Sequence, residues 1–295
     1  MSRVDTCDII PPIPTNIFVV IVTYNPTSNI INLINALPVN VQKFIVDNNS
    51  QGQSHRFIDE LSINENVIII KNETNVGIAK ALNQGLEAGA KLSFKWAITF
   101  DQDSLPTPTI IQLLIDTYNN YSDKNKLAMV AANYDTNGST YLKKRIDLGL
   151  KTIEMRVLIT SGSMLSIPVF EEVGAFREDF FIDCVDIEYC LRLKSKGYKI
   201  VISSEVGFNH AIGLSQSKKI FGINFTSSTH NVMRRYYMAR NNVILTKMYL
   251  FKFPLYILNK NFTFLKSIIS IIAVDDNKKE KLKTTFKGIF NGIKN

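Results

Sequence analysis

Two carboxylates set the first question. Asp101 and Asp103 close the stretch Trp96-Ala-Ile-Thr-Phe-Asp-Gln-Asp-Ser104, an apolar run that ends abruptly in D-x-D. Pro106 and Pro108 follow and stop a strand from continuing. Two hard oxygen donors at this spacing suit a divalent cation such as Mg2+ or Mn2+. A cation held by so few protein groups keeps positions open for phosphate oxygens. A solvated acidic turn has the same residues, so the D-x-D does not decide by itself.

The elements that must position these carboxylates are legible upstream. Ile17 to Thr23 is continuously apolar and β-branched, which predicts a buried parallel strand. Tyr24-Asn25-Pro26 breaks it, and Ser28 is expected to cap a helix from Asn29 to Ala36. Further strands are expected at Lys43 to Val46, Val67 to Lys71 and Trp96 to Phe100. Helices are expected at about Ser54 to Leu61 and Ile78 to Ala90. This βα alternation predicts a parallel sheet covered by helices.

Polar groups fall at the C-terminal ends of these strands: Thr23 and Asn25, then Asp47, then Asn75, then Asp101 and Asp103. A random scatter would not choose the same edge four times, and open α/β sheets bind ligands there. Asp47 accepts hydrogen bonds only, which suits the N3–H of uracil or thymine. An Asx-turn after the strand explains Asp47 as well. G-x-x-x-x-G-K-[ST] and G-x-G-x-x-G are both missing, so neither a P-loop nor a dinucleotide site is supported.

Downstream, a helix is expected at Ile110 to Tyr121 and a strand at Leu127 to Asn133, with weak edge structure over 134–158. Thr160-Ser-Gly-Ser-Met-Leu-Ser-Ile167 reads as a small-residue turn entering a strand. Gly162 and Ser163 would let a ligand approach the backbone, or would simply make a bulge. A helix is expected from Val185 to Lys196, ended by Gly197. Asp186 lies in its first turn, where the helix dipole favours the ionised form that a general base needs. Glu188 and Arg192 are four apart and suit a structural pair. His210 ends a last short strand.

Composition bounds the class. With 45% hydrophobic residues the 295-residue chain is globular, and long enough for one large domain with an extension. Cys7, Cys184 and Cys190 form no C-x-x-C, which argues for a reducing compartment. No secretory signal is visible at the N-terminus, and no uncharged apolar run approaches the ~20 residues needed to span a bilayer. From Leu214 onward there are fifteen Lys and Arg against three acids, so the net charge of +8 belongs to the C-terminal end. Such asymmetry draws an anionic partner.

As an ordered set, several motifs resemble inverting family-two glycosyltransferases of GT-A fold. They are Thr23-Tyr-Asn, Val46-Asp-Asn-Asn-Ser50, Asn75-x-Gly-x-Ala-x-Ala-x-Asn83, Asp101-x-Asp103, Thr160-Ser-Gly-Ser and Asp186-x-Glu-Tyr-Cys-Leu-Arg192. Phe-Asp-Gln-Asp-Ser, Phe-Ile-Asp-x-Val-Asp-x-Glu and Arg235-Tyr-Tyr-x-x-Arg-Asn241 look most like bacterial rhamnosyltransferases, which use dTDP-L-rhamnose to build O-antigen, capsule or other cell-surface polysaccharide. The resemblance implies a catalytic domain over 17–213, with a nucleotide-sugar half to about 104 and an acceptor half beyond. Residues 1–16 would form an N-terminal segment and 214–295 a basic helical extension.

The resemblance also implies roles. Thr23, Asn25, Asp47, Asn75 and Asp101 would bind the donor, with Arg235 and Arg240 facing its diphosphate or the acceptor, or left as solvated helix charges. Asp103, Asp101 and His210 would hold the metal. Asp186 would be the base, although the usual Glu-Asp pair is Val185-Asp186 here and leaves Asp183 and Glu188 nearby. Gly162, Ser163 and Glu188 would face the acceptor. A cytoplasmic enzyme on the inner face of the membrane is implied, using a nucleotide sugar and a glycan or polyprenyl-diphosphate-linked acceptor, with no nucleic acid. The apolar, basic segment from Lys252 to Asn295 would lie in the membrane interface or dock as an ordinary helical extension. A UDP-hexose donor is the alternative within the same fold. A nucleotidyltransferase or phosphatase would need motifs this chain lacks. A non-enzymatic binder of nucleic acid or membrane leaves the strand-end polar groups without a purpose.

Overall fold

The computed structural model describes residues 16–136, 139–142, 149–210, 215–220, 223–228, 231–275 and 277–295, with the backbone alone for the two strands between 215 and 228. The expected N-terminal segment lies outside the described residues except at Asn16, and so does the expected boundary at 213/214.

The run Ile17–Thr23 (β1) is buried along its whole length. Phe18, Val20 and Val22 point into one apolar cluster and Ile17, Val19 and Ile21 into another. A strand buried on both faces must lie inside a sheet covered on both sides. It does: Gln42–Asp47 (β2), Val67–Lys71 (β3) and Trp96–Asp101 (β4) run parallel to it in the order β3-β2-β1-β4. Asn29–Ala36 (α1) and Gln53–Leu61 (α2) connect β1 to β2 to β3, and their buried Ile30, Leu33, Ile58 and Leu61 share one cluster. The chain then turns back to β4 through Ile78–Lys91 (α3), whose Ala79, Leu82 and Leu86 join the opposite cluster. Right-handed crossovers require this change of face when the strand order reverses. The crevice between the carboxyl ends of β1 and β4 is therefore the topological switch point.

The second half widens the sheet. It comprises Ser104–Pro106 (β5), Ile110–Asn120 (α4), Leu127–Thr136 (β6), Ser139–Thr140 (β7), Thr152–Glu154 (β8), Ser163–Ser166 (β9), Ile167–Val173 (α5), Val185–Ser195 (α6) and Lys199–His210 (β10). β9 inserts antiparallel between β4 and β6, and β10 runs parallel to β6. The fold is the expected GT-A-like arrangement, a mainly parallel sheet between helices. β7 and β8 are short antiparallel additions, in keeping with the weak alternation over this region.

The C-terminal part adds a hairpin to the expected helices: Ser215–Ile220 (β11) and Ile223–Ser228 (β12) pair antiparallel. Val232–Tyr249 (α7), Pro254–Val274 (α8) and Lys278–Lys294 (α9) follow. Leu245, Tyr249 and Ile257 join the same cluster as Phe18 and Leu86. By length and composition α8, with 21 residues, is long and apolar enough to cross a membrane, although 17% of its apolar window is buried in the protein. A search for uncharged runs misses it because Lys260 and Lys266 interrupt the apolar sequence.

Candidate active site

At the switch point lies a cleft of about 1010 Å³. Tyr24 comes to it from β1, Asn48 from β2, and Asn75 with Gly77 from the turn into α3. Asp101, Gln102 and Asp103 come from the end of β4, Asp183 and Asp186 from the start of α6, and His210 from the end of β10. Arg234 of α7 and Lys260 of α8 close the far wall.

Three of these side chains converge. A ligand atom from each of Asp101, Asp103 and His210 lies within 4.8 Å of the others. The sheet explains why residues 107 apart in the chain meet: β10 pairs antiparallel with β5, and its register sets His210 opposite Ser104. Ser104 also carries the turn between Asp103 and β5, and its Oγ sits 2.7 Å from Ser161 Oγ and 3.5 Å from His210 Nδ1. Two carboxylates and an imidazole are a donor set for a divalent cation, with coordination positions left for a ligand. Burial pushes the Asp101 carboxyl up to about 6; His210 opposes the shift, and the charges of Asp103 and Asp186 add to it. A cation at this position would reverse that balance.

Asp186 faces the same cleft. Its Oδ1 accepts the Ile187 N–H at 2.8 Å. Burial nevertheless raises its pKa above the ordinary carboxylate range, against the pull of that hydrogen bond and of Lys260. Desolvation therefore opposes the ionisation that the first-turn position favours.

The loop that presents Asp186 is strained. Phe181, Asp183 and Cys184 have φ of 57°, 64° and 63°, in the left-handed region that non-glycine residues rarely adopt. α7 holds this loop. Asn241, fully buried, donates from Nδ2 to the carbonyls of Phe180, Ile182 and Asp183 at 2.8 to 2.9 Å. Arg240 Nη1 donates to the Asp179 carbonyl at 2.6 Å. From the other side, Ile78 N donates to the Phe181 carbonyl, and Gly77 lies so close that a Cβ there would meet Phe181 atoms at 2.6 Å. Asn75 Oδ1 accepts the Gly77 N–H and shapes that turn.

Other sequence candidates lie elsewhere. Asp47 is 2% exposed and accepts from Thr23 Oγ1 and from the hydroxyl and N–H of Ser50. Its Oδ2 keeps one lone-pair direction beyond these contacts. Thr23 is buried beneath it, and Asn25, exposed at φ 48°, accepts from Gln51 N. Ser28 has helical dihedrals and makes no side-chain cap. The three residues expected at the acceptor do not line the cleft. Gly162, in the turn before β9, and Ser163, at its start, are buried, and Phe208 fills the space a Gly162 side chain would need. Glu188 is 1% exposed and takes Arg192 Nη2 at 2.9 Å and the Tyr249 hydroxyl at 2.9 Å, as a structural pair would. Arg235 and Arg240 are also displaced from their expected place. Arg235 is buried in the field of Asp275 and Asp183, and Arg240 holds the 179–184 loop. The arginine that lines the cleft among the described residues is Arg234, beside Lys260, and its Nε and Nη2 grip the Asp183 carboxylate at 3.1 Å each. Helical periodicity could have found it, since Asn231, Arg234, Met238 and Asn242 line the cleft from one face of α7.

Comparison with known proteins fits this geometry. The family model for glycosyl transferase family 2 matches residues 18–174, more than half of the chain. The chain belongs to glycosyl transferase family 2. This glycosyltransferase is 34% identical to dTDP-rhamnosyl transferase RfbF of Shigella flexneri over 293 residues, 95% of this chain and 96% of that one. Its fold is similar to that of GalNAc-T7, solved with UDP, GalNAc and Mn2+, at 14% identity and a TM-score of 0.60 over 82% of this chain and 49% of that chain. It is also similar to residues 1–349 of S. aureus TarS, solved with UDP-GlcNAc, at 12% identity and a TM-score of 0.53, covering 94% of this chain and 72% of that one. It spans less than half, 43%, of a longer S. aureus TarS chain.

Proposed function

We propose that the glycosyltransferase moves L-rhamnose from dTDP-L-rhamnose to a hydroxyl of a cell-surface glycan intermediate, inverting the anomeric centre. The likeness to the rhamnosyl transferase, which runs through nearly the whole chain, carries the choice of donor. In this reading Asp47, supported by Thr23, accepts from the thymine N3–H. Asn25, Asn75 and Asp101 line the donor, and Arg234 offers positive charge near the diphosphate. Asp101, Asp103 and His210 would hold Mg2+ or Mn2+, which when bound neutralises charge on the departing diphosphate. Asp186 takes the proton of the attacking hydroxyl. A single displacement needs no enzyme nucleophile, and with dTDP-β-L-rhamnose the product linkage is α.

A UDP-hexose is the second reading, because the nucleotide sugars or nucleotides bound by both structural neighbours are uridine compounds. Donor binding and hydrolysis measured across dTDP-rhamnose, UDP-glucose, UDP-galactose and GDP-mannose, with Mn2+ and with chelator, separate the two. Metal-dependent selectivity for dTDP-rhamnose is expected; selectivity for a UDP-sugar would overturn the rhamnosyl assignment and leave the family standing.

The acceptor in this proposal is carried by a polyprenyl diphosphate on the inner face of the cell membrane, and α8 supports that. Lys260, Thr263, Phe264 and Ser267 on one side of α8 line the cleft. Leu255, Leu258, Phe262, Leu265, Ile269 and Ile272 on the opposite side are each at least 46% exposed. Spaced by three and four, they form one stripe. Lys266 on α8, Lys252 just before it, and Lys278, Lys279, Lys283, Lys287 and Lys294 on α9 are exposed. An apolar stripe with basic surroundings suits an anionic bilayer surface. Lying flat is favoured over spanning, since Asn261 on the protein side bonds Asn242 and Thr246 of α7. Vesicle flotation with and without anionic lipid tests this. Phe262→Gln with Leu265→Gln is expected to abolish flotation on anionic vesicles; equal flotation of wild type and variant would remove the α8 stripe from the membrane contact, and no flotation of the wild type would remove the contact itself.

A further inference from the structure

Asp186 lines two cavities. Besides the large cleft it borders a pocket of about 210 Å³, and Ile159 and Ile187 are likewise shared between the two. The metal-site residues Asp101, Asp103 and His210 line only the large cleft. Tyr134 and Tyr141 form one wall of the smaller pocket, their rings stacked at 4.9 Å between centroids and 9° between planes. Val157 lines it as well, with Ala131 and Ile202 of the sheet. We infer that this pocket is the acceptor subsite, and that it takes the apolar C–H face of a single pyranose ring against the stacked tyrosines.

Size, charge and position carry the assignment. The volume equals roughly seven waters, which suits one sugar ring and not a disaccharide. Among the described residues that line it, Asp186 is the one charged group, which does not favour a diphosphate. An apolar pocket with a few convergent polar groups is the ordinary form of a small-molecule site. Aromatic faces offer large apolar area with a polar tip, which matches the mixed surface of a sugar. Asp186 stands at the boundary, within the reach of groups in either cavity. A hydroxyl presented from the small pocket would meet the base from a cavity that Asp101 and Asp103 do not line. In the transfer the acceptor oxygen bonds to the anomeric carbon. The bond from that carbon to the diphosphate oxygen breaks, its electron pair leaves with the diphosphate, and the hydroxyl proton passes to the Asp186 carboxylate.

This inference rests on the glycosyl-transfer reading for the reaction, but not for binding of the sugar, and the test keeps the two apart. Saturation-transfer NMR of the full chain, without donor, with a panel of methyl hexopyranosides and methyl 6-deoxyhexopyranosides reads the pocket directly. At least one glycoside is expected to bind through its ring C–H groups. Tyr141→Ala removes a half-exposed ring and is expected to weaken that binding about ten-fold. Tyr141→Phe keeps the ring and is expected to keep the binding. Val157→Phe, which fills the pocket from its side, should match Tyr141→Ala. Absence of binding by any glycoside, or equal binding by Tyr141→Ala, would overturn the inference. Binding together with failure to hydrolyse any nucleotide sugar would keep the subsite and remove the donor reading.

Discussion

Asp186→Asn is expected to lower kcat by about 10²–10⁴-fold, the usual contribution of a positioned general base. The substitution keeps the shape of the side chain, and the Asn Oδ1 can still accept the Ile187 N–H that Asp186 accepts at 2.8 Å. The loop and the cleft should therefore persist, and donor KM should change little. The pH profile carries a second signature. Burial raises the folded-state pKa of Asp186, so at low pH the carboxyl is protonated and cannot take a proton. The wild-type rate should climb with pH through that raised value, and the Asn variant should lack this limb. Neighbouring carboxylates make poor substitutes, because Asp183 is held by Arg234 and Glu188 by Arg192 and Tyr249. A variant that retains the wild-type rate and pH limb would show that Asp186 is not the base, and Asp183→Asn would then be the next substitution to measure.

Asp103→Ala is expected to cost about 10²–10³-fold in kcat, comparable with the loss of one electrostatic stabiliser of transition-state charge. Asp103 is exposed and lies outside both apolar clusters, so its removal leaves the fold intact. A readout independent of turnover is available. A ligand that binds only the folded state stabilises it by about 2.7 kcal/mol at one hundred times its Kd. Mn2+ should therefore raise the Tm of the wild type, and this rise should shrink strongly in Asp103→Ala and in His210→Ala. An unchanged Mn2+ shift in both variants would remove the cation from these three residues, whatever happened to the rate.

Much of this site was readable before any coordinates. A run such as Ile17 to Val22 has no polar residue to place in water, so it must be a strand buried on both faces. The break at Tyr24-Asn25-Pro26 then fixes which edge of the sheet carries the loops. The same reasoning brought Asn75, Asp101 and Asp103 to one edge, and all of them line the cleft. These are local effects, set by burial and by breakers within a few residues, and a linear sequence records them fully.

What the sequence could not decide was which polar residue faces the cleft when several neighbours compete. Arg234, Arg235 and Arg240 are alike in type, yet one faces the cleft, one is buried and one holds a loop, because helix rotation is fixed by packing against distant elements. Glu188 has the spacing of both a ligand contact and a pair, and the Tyr249 hydroxyl from another helix completes the pair. His210 reaches Asp101 and Asp103 only through the antiparallel register of β10 on β5. The sign of the Asp186 shift likewise depends on how much protein surrounds it. Strand ends and breakers were determined by the sequence itself; rotation, register and desolvation were decided by the tertiary structure, because each depends on atoms far away in the chain.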